Sequence, residues 1–93
     1  MLAFEWDPLK ERLNVAKHGV PFREALTAFG DPLGRIVEDL QLPTDETRFV
    51  LLAQSDRRRL LVVLFTERGH SIRLISARRA TPRERRSYEE GED

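Results

Sequence analysis

The chain has no cysteine, which excludes disulfides, thiolate metal sites and thiol catalysis. Long apolar runs are missing too. The longest, residues 60–65, has six residues, far short of the roughly 20 that a membrane-spanning helix needs. The opening Met-Leu-Ala-Phe-Glu-Trp-Asp lacks the basic start and apolar stretch of a secretion signal, so a cytoplasmic protein is expected. Glycine is scattered, at 19, 30, 34, 69 and 91, and no glycine-rich loop can cradle a phosphate. Histidine occurs only as His18 and His70, outside any His-Glu-x-x-His pattern. A histidine-rich metal centre is not expected, and no cofactor is implied. No serine sits in a nucleophile elbow.

What remains is compact in length and rich in charge. Ninety-three residues, 40% apolar and 34% charged, suit one domain over residues 1–93, within the roughly 50–200 residues of a usual folding unit. Sixteen basic and sixteen acidic side chains cancel, but not along the chain. Residues 1–47 carry five cations and nine carboxylates. Residues 48–86 carry eleven arginines and three carboxylates, and residues 87–93 carry four carboxylates alone. A basic block inside a neutral chain suggests a polyanionic partner. All but two of the cations are arginine, whose planar fork suits phosphate. The plainer reading is an arginine-rich surface whose exposed pairs contribute little.

Residues 3–6 read as a strand. Asp7-Pro8 starts a helix as N-cap and first helical residue, and Gly19 stops it. Leu9, Leu13 and Ala16 follow at helical spacing, which predicts a buried stripe. Lys10, Asn14 and Lys17 lie on another face. Pro21 opens a second helix, with Phe22, Ala25, Leu26 and Phe29 on one side. Residues 34–39 read as a short edge strand and residues 40–47, with Pro43, as a polar loop. Carboxylate pairs such as Glu38-Asp39 and Asp45-Glu46 fall in loop-like regions and read as solvated. Strands follow at 48–54, 60–66 and 70–79, the second apolar on both faces, as suits a central strand. Simple alternation puts Ile72, Leu74 and Ser76 on one face of the last strand, and Arg73, Ile75 and Ala77 on the other. Thr81-Pro82-Arg83-Glu84 matches a capping box. It opens a helix over 82–90 whose single large apolar group is Tyr88, so this helix needs docking on the chain or on a partner. The order predicts an α+β fold: a mostly antiparallel sheet, a two-helix hairpin on one face and a short C-terminal helix.

Arginine, two histidines, Lys17, Glu67 and Tyr88 are left for chemistry. They are compatible with RNA cleavage in which a 2′-hydroxyl attacks its own adjacent phosphate. That reaction needs a base, an acid, and cations for the charge that builds on the phosphorane. The nucleophile belongs to the substrate.

The stretches Phe4-Glu5-Trp6-Asp7, Lys17-His18-Gly19-Val20-x-Phe22 and Phe29-x-Asp31-Pro32 precede Thr66-Glu67-Arg68. Ile72-Arg73-Leu74-Ile75-Ser76-Ala77-Arg78-Arg79-Ala80 and Glu84-Arg85-Arg86-x-Tyr88-Glu89 follow. In this order and spacing they resemble the BrnT family of type II toxin–antitoxin toxins, over residues 4–90. The resemblance implies a RelE-like fold and a ribonuclease activity that stops translation and growth. It implies a cognate BrnA-like antitoxin of ribbon-helix-helix type, with operator DNA bound only through the toxin–antitoxin complex. One departure is visible: where the family pattern reads Gly-Arg before the central strand, this chain reads Arg58-Arg59.

On that basis Lys17, His18, Arg73 and Arg78 are the candidate catalytic residues. Arg57, Arg58, Arg59, Arg68 and Arg79 are the candidate RNA contacts, positioning the strand without reading bases. Structural alternatives stand beside these roles. His18 near a helix C-terminus interacts favourably with the dipole, and Lys17 can be a solvated lysine. Arg73 can pair with a carboxylate such as Glu67. Tyr88 can dock its helix or stack on a base, while His70 reads as incidental. The central strand is apolar on both faces, yet the hairpin covers one. The last helix or the antitoxin covers the rest, or the antitoxin adds an element at the sheet edge. An acidic antitoxin segment over the arginines of 57–79 would block RNA electrostatically.

Overall fold

A computed structural model describes residues 3–40 and 46–91. The elements are β1 (Ala3–Glu5), α1 (Pro8–His18), α2 (Phe22–Thr27), a 3-10 turn (Ala28–Gly30), β2 (Arg35–Asp39), β3 (Arg48–Gln54), β4 (Leu60–Arg68), β5 (Ser71–Arg79) and α3 (Pro82–Glu90). The loop expected over 40–47 lies mostly outside the described residues, as does Asp45 of the Asp45-Glu46 pair. Glu38 and Asp39 end β2 rather than lying in a loop. Among the described residues the five strands form one sheet in the order β1-β5-β4-β3-β2. β1 runs parallel to β5 and the other pairs are antiparallel. This is the expected α+β architecture.

α1 begins and ends as its sequence dictates. Asp7 accepts a hydrogen bond from the Leu9 N–H at 2.9 Å, and Gly19 closes the helix at φ 71°. Its burial corrects the expectation. Leu9 is 53% and Leu13 62% exposed, and Ala16 is exposed as well. The buried residue is Asn14. Its amide nitrogen donates to the Val20 and Ala77 carbonyls, at 2.9 and 2.8 Å. Its Oδ1 accepts from the Ala77 N–H at 3.1 Å. The cause is topological. β1 pairs with β5 only over Ser71–Arg73, so the outer edge of β5 is open at Ala77. Unmet backbone groups there are costly, and one carboxamide supplies both the donor and the acceptor that another strand would have provided. A helix that closes a strand edge turns a polar face inward.

α2 follows its pattern: Phe22 and Ala25 are fully buried, and Leu26 and Phe29 pack against the core. Phe29 links Phe4 to Phe65, with ring centroids 5.1 and 5.0 Å away. Burying a side chain of Phe22's size contributes about 1.5–3 kcal/mol.

The β4–β5 register carries a bulge. Leu64 faces Ser76 but Phe65 faces Leu74, so Ile75 is the extra residue. The bulge reverses the alternation expected beyond it. Ile72, Leu74 and Ala77 face the core together, and all three are buried. Arg73, Ser76 and Arg78 share the opposite face, because they oppose Thr66, Leu64 and Val62.

α3 lies on that second face. Its capping box is formed by Thr81 and Glu84. It buries no residue and is docked by polar contacts. The Tyr88 hydroxyl donates to Asp31 at 2.6 Å, Arg35 donates to the Ser87 hydroxyl at 2.9 Å, and Arg78 forks onto Glu84. α3 leaves a groove of about 330 Å³ lined by Val37, Val50, Leu52 and Val62. The apolar second face expected from β4 is thus partly covered by the last helix.

Candidate nucleic-acid interface

The turn between β3 and β4 is a three-residue hairpin loop. The Arg58 N–H donates to the Ser55 carbonyl at 2.9 Å, and the Ser55 N–H to the Arg59 carbonyl at 2.8 Å. Such loops put their last residue in the left-handed region, where glycine is at ease. Arg58 occupies that place at φ 61°, the one positive-φ residue other than glycine among the described residues. The Arg58-Arg59 departure from the family pattern therefore falls where the backbone asks for glycine. Arg58 is exposed.

Arg59 turns inward. Its Nε donates to Glu24 Oε2 at 2.9 Å, one Nη forms a short bond to Oε1, and the same nitrogen reaches the Gly19 carbonyl at 3.2 Å. Glu24 is 5% exposed and also accepts from the Ser55 hydroxyl at 2.7 Å. The Arg59 hydrogen bonds hold the Glu24 carboxyl below its ordinary range, against burial, which pushes it up. Arg57 approaches Glu24 at 3.6 Å, with its side chain 64% exposed.

These contacts draw several elements to one end of the sheet. Gly19, which follows Lys17 and His18 at the end of α1, meets Arg59 of the turn through its carbonyl. The Ala80 N–H donates to the Leu60 carbonyl at 2.9 Å, which brings the end of β5, with Arg78 and Arg79, to the same end. Lys17 and His18 line a shallow pocket of about 220 Å³ with Lys10, Leu13, Asn14, Ile75 and Ser76. The lining thus brings two lysines and a histidine to the same pocket as Leu13 and Ile75. Neither Lys17 nor His18 has an ion-pair partner among the described residues. The bulge matters here, because it sets Ile75 against α1.

Other expected residues stand elsewhere. Arg73 shares a face with Arg78, but their partners Thr66 and Val62 are four residues apart on β4, about 13 Å along the strand. Arg73 pairs with Glu5 at 3.3 Å rather than with Glu67. Glu67 opposes Ile72 and so points to the other face. Arg68, at the far end of β4, forks onto Glu46 at 2.8 and 3.1 Å. The Arg68 hydrogen bond holds Glu46 low. Arg78 binds Glu84 through two hydrogen bonds of 2.9 Å. Those bonds bring Glu84 down to about 2, against burial. Burial, then the bond to Asp31, pushes the Tyr88 hydroxyl up to about 12; it is that bond to Asp31 by which Tyr88 helps dock α3. The nine expected residues thus fall into two groups. Lys17, His18, Arg57, Arg58, Arg59, Arg78 and Arg79 lie toward one end, with Arg78 on the α3 face and Arg79 on the opposite one, and Arg68 and Arg73 lie toward the other end. Sequence reasoning missed Lys10, Leu13 and Ile75 as pocket walls. The signal was the stripe Lys10, Asn14 and Lys17, at i, i+4 and i+7.

A family model of the BrnT ribonuclease toxins of type II toxin–antitoxin systems matches residues 6–84. The chain is also similar to the crystal structure of the Brucella abortus ribonuclease toxin BrnT. Identity is 25%, the match covers 87% of this chain and 97% of that one, and the TM-score is 0.58. No curated protein sequence matches. The extent of the family match and the shared fold lead to one conclusion: the chain belongs to the BrnT family of ribonuclease toxins of type II toxin–antitoxin systems.

Proposed function

We propose that the chain is a toxin that cuts RNA internally by attack of a 2′-hydroxyl on the adjacent phosphate, without a metal ion, in the pocket between α1 and the β5 bulge. The observation that supports this is one pocket lined by Lys10, Lys17 and His18 together with Leu13 and Ile75, toward the end of the sheet that presents Arg58 and Arg79. On this reading His18 moves the proton and the two ammonium groups meet the charge that builds on the phosphorane. Leu13 and Ile75 give a base an apolar floor. Arg57, Arg58 and Arg79 hold flanking phosphates. Arg59, Arg73 and Arg78 act through their carboxylate partners: Arg59 holds the turn, Arg73 pins β1, and Arg78 holds α3. Cations that neutralise phosphate themselves leave a divalent ion no electrostatic task there.

The family carries an antitoxin partner. We infer that it is a BrnA-like protein of ribbon-helix-helix type, that it closes the cationic end to RNA, and that operator DNA meets the toxin only through their complex. The family resemblance supports that part.

The test is cleavage of RNA by the purified chain in EDTA, with analysis of product ends. The expected products carry 2′,3′-cyclic phosphates. His18→Ala and Lys17→Ala should each lower the rate about 10²–10⁴-fold while Arg73→Ala retains it. Activity lost in EDTA and restored by magnesium would refute the metal-free mechanism. Intact RNA that stays bound would make the chain a non-catalytic basic module. Loss in Arg73→Ala and Arg78→Ala with full activity in His18→Ala and Lys17→Ala would move the reaction centre to the α3 face.

A further inference from the structure

α1 turns Asn14 to the sheet and leaves its apolar stripe outside. Leu9, Leu13 and Ala16, at i, i+4 and i+7, lie in one line along the helix, and all three are exposed. Cations run along both sides of that line. At about 3.6 residues per turn, Lys10 and Lys17 flank it on one side and Arg12 on the other. All three cations are exposed and have no ion-pair partner among the described residues. The one carboxylate within α1, Glu11, is turned away: its Oε2 accepts a hydrogen bond from the Phe22 N–H at 2.9 Å. The outward face of α1 therefore has an apolar centre, cationic margins and no acid.

We propose that this face seats an amphipathic helix of the antitoxin, with an apolar stripe laid along Leu9, Leu13 and Ala16 and carboxylates opposite Lys10, Lys17 and Arg12. Three aliphatic side chains at i, i+4 and i+7 are what one helix offers another. Left bare, such a stripe is a liability in a folded chain. The charges select the occupant. A second copy of this chain would set the cations of α1 against their own equivalents, with no carboxylate on that face to answer them, and like charge across an interface is costly. RNA would meet the cations through its phosphates and leave the aliphatic line in water. An acidic helix satisfies the centre and both margins together. Lys10, Leu13 and Lys17 also line the pocket between α1 and the β5 bulge. On the reading proposed above, in which that pocket cuts RNA, the same helix closes it by occupation.

Titration calorimetry of the full-length chain with its cognate antitoxin tests the seat by binding alone, so its outcome is separate from that of the cleavage test. Leu9→Glu/Ala16→Glu sets acid against acid and should weaken binding at least about tenfold. Leu9→Lys/Ala16→Lys removes the same apolar contacts but keeps the favourable sign of charge. It should bind at least about tenfold more tightly than the glutamate variant. Both positions are exposed, so both variants should unfold close to the temperature of the unchanged chain. Unchanged affinity in the glutamate variant overturns the seat. Equal losses in the glutamate and lysine variants overturn the acidic helix as its occupant. Loss of RNA binding with antitoxin binding intact would give the face to RNA. A dimer of the free chain that the glutamate variant dissolves in sedimentation velocity would give it to a second copy. Either result overturns the proposal.

Discussion

Replacing Arg58 by glycine separates what the turn needs from what the arginine does. A side chain held in the left-handed region costs about 1–2 kcal/mol, and Arg58 sits there at φ 61°. Glycine removes that strain but frees the unfolded chain by about 0.5–1 kcal/mol. The guanidinium donates no hydrogen bond and makes no ion pair among the described residues, so no polar contact is lost. The net expectation for Arg58→Gly is a gain of about 0.5–1 kcal/mol, which in a domain of this size raises Tm by about 2–8 °C. Binding of a short single-stranded RNA should weaken in parallel. The salt dependence of log K should flatten by about 0.7, the value of one phosphate contact. Arg58→Ala is the control: it keeps the strain and loses the charge, so it should lose the same RNA affinity without the gain in Tm. Calorimetry and fluorescence anisotropy over a salt series read both quantities. A fall in Tm for Arg58→Gly would refute the strain argument. An unchanged salt slope would take Arg58 away from phosphate.

Two further expectations concern the body of the fold. Asn14→Ala leaves the Ala77 amide and two carbonyls unmet and should destabilise the chain by about 2–3 kcal/mol, whereas Leu13→Ala should stay within about 0.5 kcal/mol; thermal unfolding of both checks the reversed burial of α1. Glu84 titrates near 2 in the folded chain, against 4.5 for the free side chain. Its pair with Arg78 therefore stabilises fully above about pH 4.5 and is lost as pH falls through about 2. Glu84→Gln should flatten that part of the acid limb in Tm measured from pH 6 to pH 2; an unchanged limb would mean that the pair does not hold α3.

Local features were legible where the chemistry is local. Asp7-Pro8 and Gly19 bound α1 because capping depends on neighbours a few residues away. Thr81 and Glu84 form their capping box for the same reason. Phe22, Ala25, Leu26 and Phe29 face the core because one apolar stripe against a sheet has a single way to bury itself. Lys17 and His18 at the end of α1, and the arginine turn, could be named from the chain alone.

What the chain alone left open depended on who the neighbour is. Leu9, Leu13 and Ala16 make as good a stripe as α2 has, yet they face outward. β1 stops pairing at Arg73, and the bare edge of β5 demanded the polar side of the helix at Asn14. Arg73 and Arg78, five residues apart, belong on opposite faces of a regular strand, and the extra residue Ile75 puts them on the same one. Whether an arginine meets RNA or a carboxylate is likewise a tertiary matter. Glu24 lies 35 positions before Arg59 and Glu5 lies 68 before Arg73, and no local pattern joins residues that far apart. Sequence by itself determined the class of fold, the family and the supply of cations. Tertiary structure decided which of those cations stay free, because a partner across the sheet neutralises a charge that composition only counts.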